Sequence, residues 1–298
     1  MTTQTILRKR VQYHVKRLAD PLNKKIYEKT RTELSSCLVA PFLPQMMYVA
    51  ARLDRLATWY ATSGLDQLSR HEVGGWNDIH RALRYQVLAA RIAIHRSFTF
   101  APPANEVHLL QKYHSIHTLP YASNISLCAA YTGVHQLPEH RFLCEHLLRA
   151  IAVSDPSRVS SLAWFIAWLY KTGNSIDRVN GEVSTSVIKA NLRNYSSIQQ
   201  SWEFEKDFEV AAHEICDYHC QRIWSVSYDL TDFSLAPFDM VPYEILFMIY
   251  TRSQLSLGTP SFSHPLLATE FAKPNFDLFP DDELYDLIYK KIAEFKFL

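Results

Sequence analysis

Apolar side chains recur every three or four residues in one segment of the chain after another, the interval that lines them along one side of a helix. Between Leu43 and Ser63, Met47, Ala50, Leu53, Ala57 and Tyr60 keep this period, and after the Gly74-Gly75 break Trp76 to Ser97 reads as a second long amphipathic helix. Helices are expected at Thr5–Ala19 and Asn23–Cys37, on either side of Pro21, and at Ala104–His117 after Pro102-Pro103. Three more, Pro120–Gly133, Pro138–Val153 and Pro156–Lys171, are each introduced by proline, whose missing N–H is harmless in a first turn. The third carries Leu162, Trp164, Phe165, Trp168 and Leu169 and is apolar nearly all round, which predicts deep burial.

Beyond the polar stretch Gly173–Ser184, the pattern predicts helices at Thr185–Gln199 and Trp202–Tyr228. The second of these has Phe204, Phe208, Ala211, Ile215 and Tyr218 as its expected buried stripe. Val241–Leu257 reads as a helix at the centre of the domain: Pro242 suits its first turn, Glu244 its positive end, and Gly258 can end it left-handed. Asp281–Leu298 closes the chain with acids first and lysines last, in line with a helix dipole. Only seven glycines occur, and each is expected where a helical pattern starts or stops. A β-rich or dinucleotide-binding chain of this size would use more glycine, in hairpin turns and phosphate loops. The fold class that follows is all-α, an irregular bundle or stack of roughly ten to twelve helices. The loop at 173–184 is the expected boundary between an N-terminal subdomain, 1–173, and a C-terminal one, 185–298, packed as one unit.

Composition adds little to this picture, with 48% hydrophobic and 20% charged residues in 298. Charge distribution adds more. The net charge of +1 hides 16 Lys/Arg against 7 Asp/Glu in residues 1–100 and 7 against 17 in residues 201–298. A basic beginning and an acidic end either neutralise each other or present surfaces to partners of opposite sign. The N-terminal residues mix charge into every turn and the longest apolar run, Leu162–Tyr170, is far too short to cross a bilayer, so a cytoplasmic protein is expected. Five scattered cysteines without a paired CxxC spacing read as reduced, buried thiols.

Candidate chemistry is sparse. Glu205, Glu209, His213 and Asp217 stand four residues apart on one helix face, where His213 and Asp217 could hold a metal. The surrounding HEICD, however, departs from the HExxH of zinc proteases, and an exposed charged face is the favoured explanation of the row. His114 and His117 are a second spaced pair, with no carboxylate nearby. Arg81, Arg84 and Arg91 form a stripe that fits either a phosphate or ordinary solvent exposure. Basic residues from Arg8 to Lys29, with Tyr13 and Tyr27 among them, leave a nucleic-acid-binding helical protein as an alternative, although they lie on several faces. No GxSxG, GxxxxGK[ST] or GxGxxG motif occurs, so no catalytic residue, cofactor or metal is assigned.

The passage Pro242-Tyr243-Glu244-Ile245-Leu246, followed by Gly258, Pro260 and His264-Pro265-Leu266-Leu267, resembles the closing segment of helical immunity proteins, the antidotes paired with toxins of bacterial polymorphic-toxin and type VI secretion systems. The resemblance covers the chain from Trp202 onward; earlier residues match only in helical character. It implies a non-enzymatic, mainly helical cytoplasmic protein that binds one cognate toxin. Many such toxins are nucleases, whose substrate surfaces must be basic to hold phosphate. The acidic third then becomes the contact surface. Glu203, Glu205, Glu209, Asp217, Asp229 and Asp232 are its expected charges, and Trp202 and Tyr228 its aromatic anchors. No nucleic-acid or membrane partner is expected. A helical metal-dependent enzyme on the His213/Asp217 face remains the competing class.

Overall fold

The computed structural model describes residues 3–37, 42–99, 119–174, 183–224, 237–258, 263–275 and 280–294. Among these it is all-α, with twelve α-helices, four short 3-10 turns and no strand. No described helix is long and apolar enough to cross a membrane. The helix expected at Ala104–His117, with His108, His114 and His117, lies outside the described residues. Two compact units emerge: Met1–Phe100 with Ala236–Met240 and Lys273–Leu298, and Ala101–Leu235 with Val241–Ala272. This division differs from the one expected at 1–173 and 185–298. The helices before and after the 173–184 stretch pack on each other, and the last helix joins the first hundred residues.

The first unit is built on a hairpin of two long helices, α3 (Phe42–Ser69) and α4 (Gly75–Thr99), against which α1 (Thr3–Leu18) and α2 (Pro21–Cys37) lie. Leu7, Val11 and His14 of α1, and Thr30, Leu34 and Cys37 of α2, are buried at helical spacing. Gly64 does not end a helix as expected; it sits inside α3, where the hairpin is tightest. A Cβ there would fall 2.5 Å from the Gly75 carbonyl oxygen and 2.9 Å from Ile79 Cγ1, so the two backbones touch. Gly64→Ala is expected to lower the stability of this unit by about 2 kcal/mol, since the backbones must part. Gly74→Ala, where a Cβ would have its nearest neighbour 3.7 Å away, should be close to neutral when both variants are compared by urea titration.

The arginine stripe of α4 faces neither a phosphate nor open solvent. It holds the C-terminal segment leading into α12 (Glu283–Glu294). Arg81 Nε lies 3.1 Å from Asp282 Oδ2, which also accepts from the Tyr85 hydroxyl at 2.9 Å, while Asp282 Oδ1 caps the helix by accepting from Tyr285 N–H. Arg84 donates to the Pro280 carbonyl at 3.0 Å and lies over the Tyr285 ring; Arg91 lies over Tyr289. Burial beside the Asp282 carboxylate pushes the Tyr85 phenol far above its ordinary pKa.

The second unit contains α5 (Leu119–Val134), α6 (Glu139–Val153), α7 (Ser161–Asn174), α8 (Thr185–Ala190), α9 (Ser196–Ser201), α10 (Glu205–Trp224) and α11 (Tyr243–Gln254). Every residue of α7 from Ser161 to Lys171 is buried, as its apolar circumference requires, and α11 packs on both α5 and α7. The helix expected over 185–199 is broken in two. Asn191 turns its side chain onto the Val187 carbonyl at 2.8 Å and Arg193 takes a φ of 48°, which lets Leu192 and Tyr195 reach full burial. Tyr195 then stacks on Phe165 with ring centroids 4.2 Å apart.

The end of α11 also differs from expectation. Ser256 (φ 56°), two residues before Gly258, is the left-handed residue that closes it, with Leu257 N–H returning to the Arg252 carbonyl and Ser256 N–H to that of Ser253. Gly258 follows at φ 71°.

Candidate functional site

Of the expected contact residues, Trp202, Glu203, Glu205 and Glu209 lie at or just before the start of α10 and Asp217 further along it. This helix takes its frame from Phe208, Ala211, Ala212, Ile215, Cys216 and His219, all buried at intervals of three and four. Because the first turn opens at Glu205, Phe204 falls outside it and only lends its carbonyl to Phe208 N–H at 2.8 Å. Its ring, expected in the buried stripe, is 63% exposed. Val210, on the outer face, is 62% exposed. Near these two apolar side chains in the sequence lie the exposed carboxylates of Glu203, Glu205, Asp207, Glu214 and Asp217, with Glu209 half-buried and one exposed cation, Lys206, among them. Glu205 and Asp207 also occupy the first turn, where the helix dipole favours negative charge.

Trp202 is not an exposed anchor. It is 6% exposed, edge-on to Trp168 at 4.9 Å and to Phe208 at 5.8 Å, because the chain must dip into the core between α9 and α10. Its carbonyl accepts from the Arg252 guanidinium, which also donates through Nε to Gly258 O at 3.0 Å and through Nη2 to Leu257 O at 3.1 Å. Arg252 is 1% exposed and lies 4.1 Å from the Phe208 ring centroid, and burial lowers its pKa. One buried cation thus fastens the end of α11 to the approach of α10. A lone arginine near the end of an apolar helix was the only sequence sign of it.

Asp217 is exposed yet engaged: Nε2 of His264 donates to its Oδ1 at 3.2 Å, while His264 Nδ1 accepts from Leu266 N–H. The His-Pro-Leu-Leu passage is therefore a turn whose imidazole docks on α10, and the His264 ring meets that of His213 edge-on at 5.5 Å. Deeper in, His219 Nδ1 lies 2.5 Å from Glu244 Oε1, both groups fully buried. Glu244 thus serves a second role besides its place in the first turn of α11. Among the described residues, no three His, Cys, Asp or Glu side chains come together where they could hold a metal ion. All five cysteines are buried thiols, and burial pushes those of Cys144 and Cys216 up, away from the reactive thiolate. Tyr228, Asp229 and Asp232 lie outside the described residues.

Comparison with protein-family models, curated proteins and solved structures finds no match. The site is therefore read from its own geometry. Beside the acidic face opens a cleft of about 530 Å³ between the end of α7, α8, α9 and residues 202–204. Glu203 and Phe204 belong to both, standing on the acidic face and lining the cleft. Sequence reasoning named Glu203, Glu205, Glu209 and Asp217 as contacts but not Asp207 or Glu214, and missed the apolar pair Phe204 and Val210. Val210 carried a signal, since it falls off the buried stripe of its own helix.

Proposed function

We propose that this chain is a binding protein that docks a basic protein partner on the outer face of α10, and that it acts as an immunity protein neutralising a cognate bacterial toxin in the cytoplasm. The observation that carries the reading is the exposed Phe204 and Val210 set in a field of carboxylates. Apolar side chains surrounded by predominantly negative charge, five exposed carboxylates against Lys206, suit a transient interface: the net charge steers a partner of opposite sign and the apolar contact supplies most of the affinity. A nuclease fits this surface by charge, since it must itself be basic to hold phosphate. The resemblance of the closing segment to helical immunity proteins supports the same reading, and no catalytic group is assigned.

The test is binding to the product of the neighbouring reading frame, in physiological salt, with full-length protein. Phe204→Ser is expected to weaken the complex about tenfold or more. Asp207→Lys combined with Glu214→Lys should slow association and flatten its salt dependence, with helical content unchanged by circular dichroism. Wild-type protein that fails to bind, or variants that bind like it, would remove the reading.

A further inference from the structure

The uneven charge of the chain is only partly cancelled within the molecule. Arg10 reaches Asp239 at 3.3 Å, and Arg81 and Arg84 of α4 lie 3.1 and 3.7 Å from Asp282 and Asp286, so these cations of the first hundred residues are met by acids of the C-terminal third. Exposed charge of opposite sign stands on two other helix faces. On α2, Leu22, Lys25, Ile26 and Lys29 fall at i, i+3, i+4 and i+7, hence on one side, and all four are exposed, Leu22 at 62% and Ile26 at 38%. Lys29 Nζ lies 3.7 Å from Glu33, a carboxylate that also accepts from Arg52 Nε at 2.5 Å, so one anion serves two cations there. On α10, Asp207, Val210, Glu214 and Asp217 fall at i, i+3, i+7 and i+10, again on one side and again exposed, with the cation Lys206 beside them.

We infer that the outer face of α2 docks on the acidic outer face of α10 of a second copy of this chain. Each face sets aliphatic side chains among charges at helical spacing, Leu22 and Ile26 on one and Val210 on the other. Two such helices can lie together with an apolar contact flanked by lysine-to-carboxylate pairs. Nucleic acid would make little use of Leu22 and Ile26, because its backbone is charged and its bases stack on flat rings. A net charge of +1 over the whole chain leaves little repulsion to hold copies apart. The contact joins different faces of the two copies, so it leaves one face of each kind open, and association runs on into a chain or closes into a ring. A copy seated on α10 competes with the toxin proposed for that face. The inference does not rest on the toxin reading, and its test contains no toxin.

Sedimentation velocity of the full chain, over a range of protein concentrations, reads the association. The wild type is expected to associate at about 0.1 M salt and to return to monomer at about 1 M, as the screening length falls from about 10 Å to about 3 Å. Lys25→Glu with Lys29→Glu, and separately Asp207→Lys with Glu214→Lys, should each weaken association about tenfold or more; all four positions are exposed, and circular dichroism checks that helical content is unchanged. Leu22→Ser should weaken it about tenfold. An equimolar mixture of the two charge variants should associate again, because the faces of one then complement those of the other. Neither a folding defect nor general stickiness produces that recovery. The inference is overturned if the wild type stays monomeric at about 0.1 M salt, if either charge variant associates like the wild type, or if the mixture associates no better than its components. Monomeric wild type that uses Lys25 and Lys29 to bind polyuridylate or phosphatidylserine vesicles would equally overturn it and assign the α2 face to phosphate.

Discussion

Replacing Arg252 with alanine is expected to destabilise the second unit by about 3 kcal/mol. Three backbone carbonyls, those of Trp202, Leu257 and Gly258, face this guanidinium; truncation leaves the buried Trp202 carbonyl without a donor, while those of half-buried Leu257 and exposed Gly258 must turn to water. The side chain also fills space against Phe208, so a cavity adds to the loss. Arg252→Lys should recover part of the stability and no more, because an ammonium is a point charge without the planar fork that reaches carbonyls in three directions. Urea unfolding measures the total, and native-state hydrogen exchange localises it: protection should fall at the end of α11 and the start of α10 before it falls elsewhere. An alanine variant within about 1 kcal/mol of wild type would mean that the guanidinium does not carry this junction. The consequence reaches the surface, since Trp202 lines the cleft and Phe204 follows two residues later. A loosened junction should disturb the cleft and the acidic face together.

Arg252 also shows where sequence reading stops. Helix existence and type follow from periodicity, a local property, and α3, α7 and α10 were legible because Leu53, Trp164 or Phe208 repeats with its neighbours at helical intervals. What lies opposite each face depends on residues far along the chain, and no local pattern reports it. The α4 arginines looked like a free stripe because their partners, Pro280, Asp282 and Tyr285, come almost 200 residues later. Gly64 looked like a break because glycine weakens a helix in isolation; its reason is the Gly75 backbone pressed against it. Trp202 and Phe204 were assigned opposite ways round, anchor outside and stripe inside, because the helix was expected from Trp202 and begins three residues later, at Glu205, so neither residue follows its helical frame. The carboxylates were easier. Glu203, Glu205 and Asp217 are exposed, since an isolated charge is costly to bury, whereas Glu244, which is buried, has His219 beside it.

Acidification from pH 7 to 4 is expected to cost the first unit about 3 kcal/mol through one residue, His80. Its ring is completely buried in α4, and Nε2 donates to the Asn275 carbonyl at 2.9 Å. Burial pushes its pKa down from 6.5 to about 4; the Asn275 carbonyl pulls the other way, and the nearby Arg84 cation adds to the lowering. In the unfolded chain the same imidazole takes a proton near its ordinary value, so between about pH 6.5 and 4 the unfolded state binds a proton that the native state refuses. Stability from this residue is therefore complete above pH 6.5, falls as the pH drops through the window, and levels off below about 4. His80→Gln keeps a donor for Asn275 and has nothing to titrate. All other titratable groups are common to the two proteins, so the difference between their slopes isolates the imidazole. Hydrogen exchange of α4 amides at several pH values gives the readout for this unit alone, which matters because buried His140, with its pKa also lowered by burial, titrates in the same direction in the second unit. Parallel pH profiles for wild type and His80→Gln would contradict the argument. A steeper wild-type profile would identify the buried His80 imidazole as the acid-sensitive group where α4 meets Asn275.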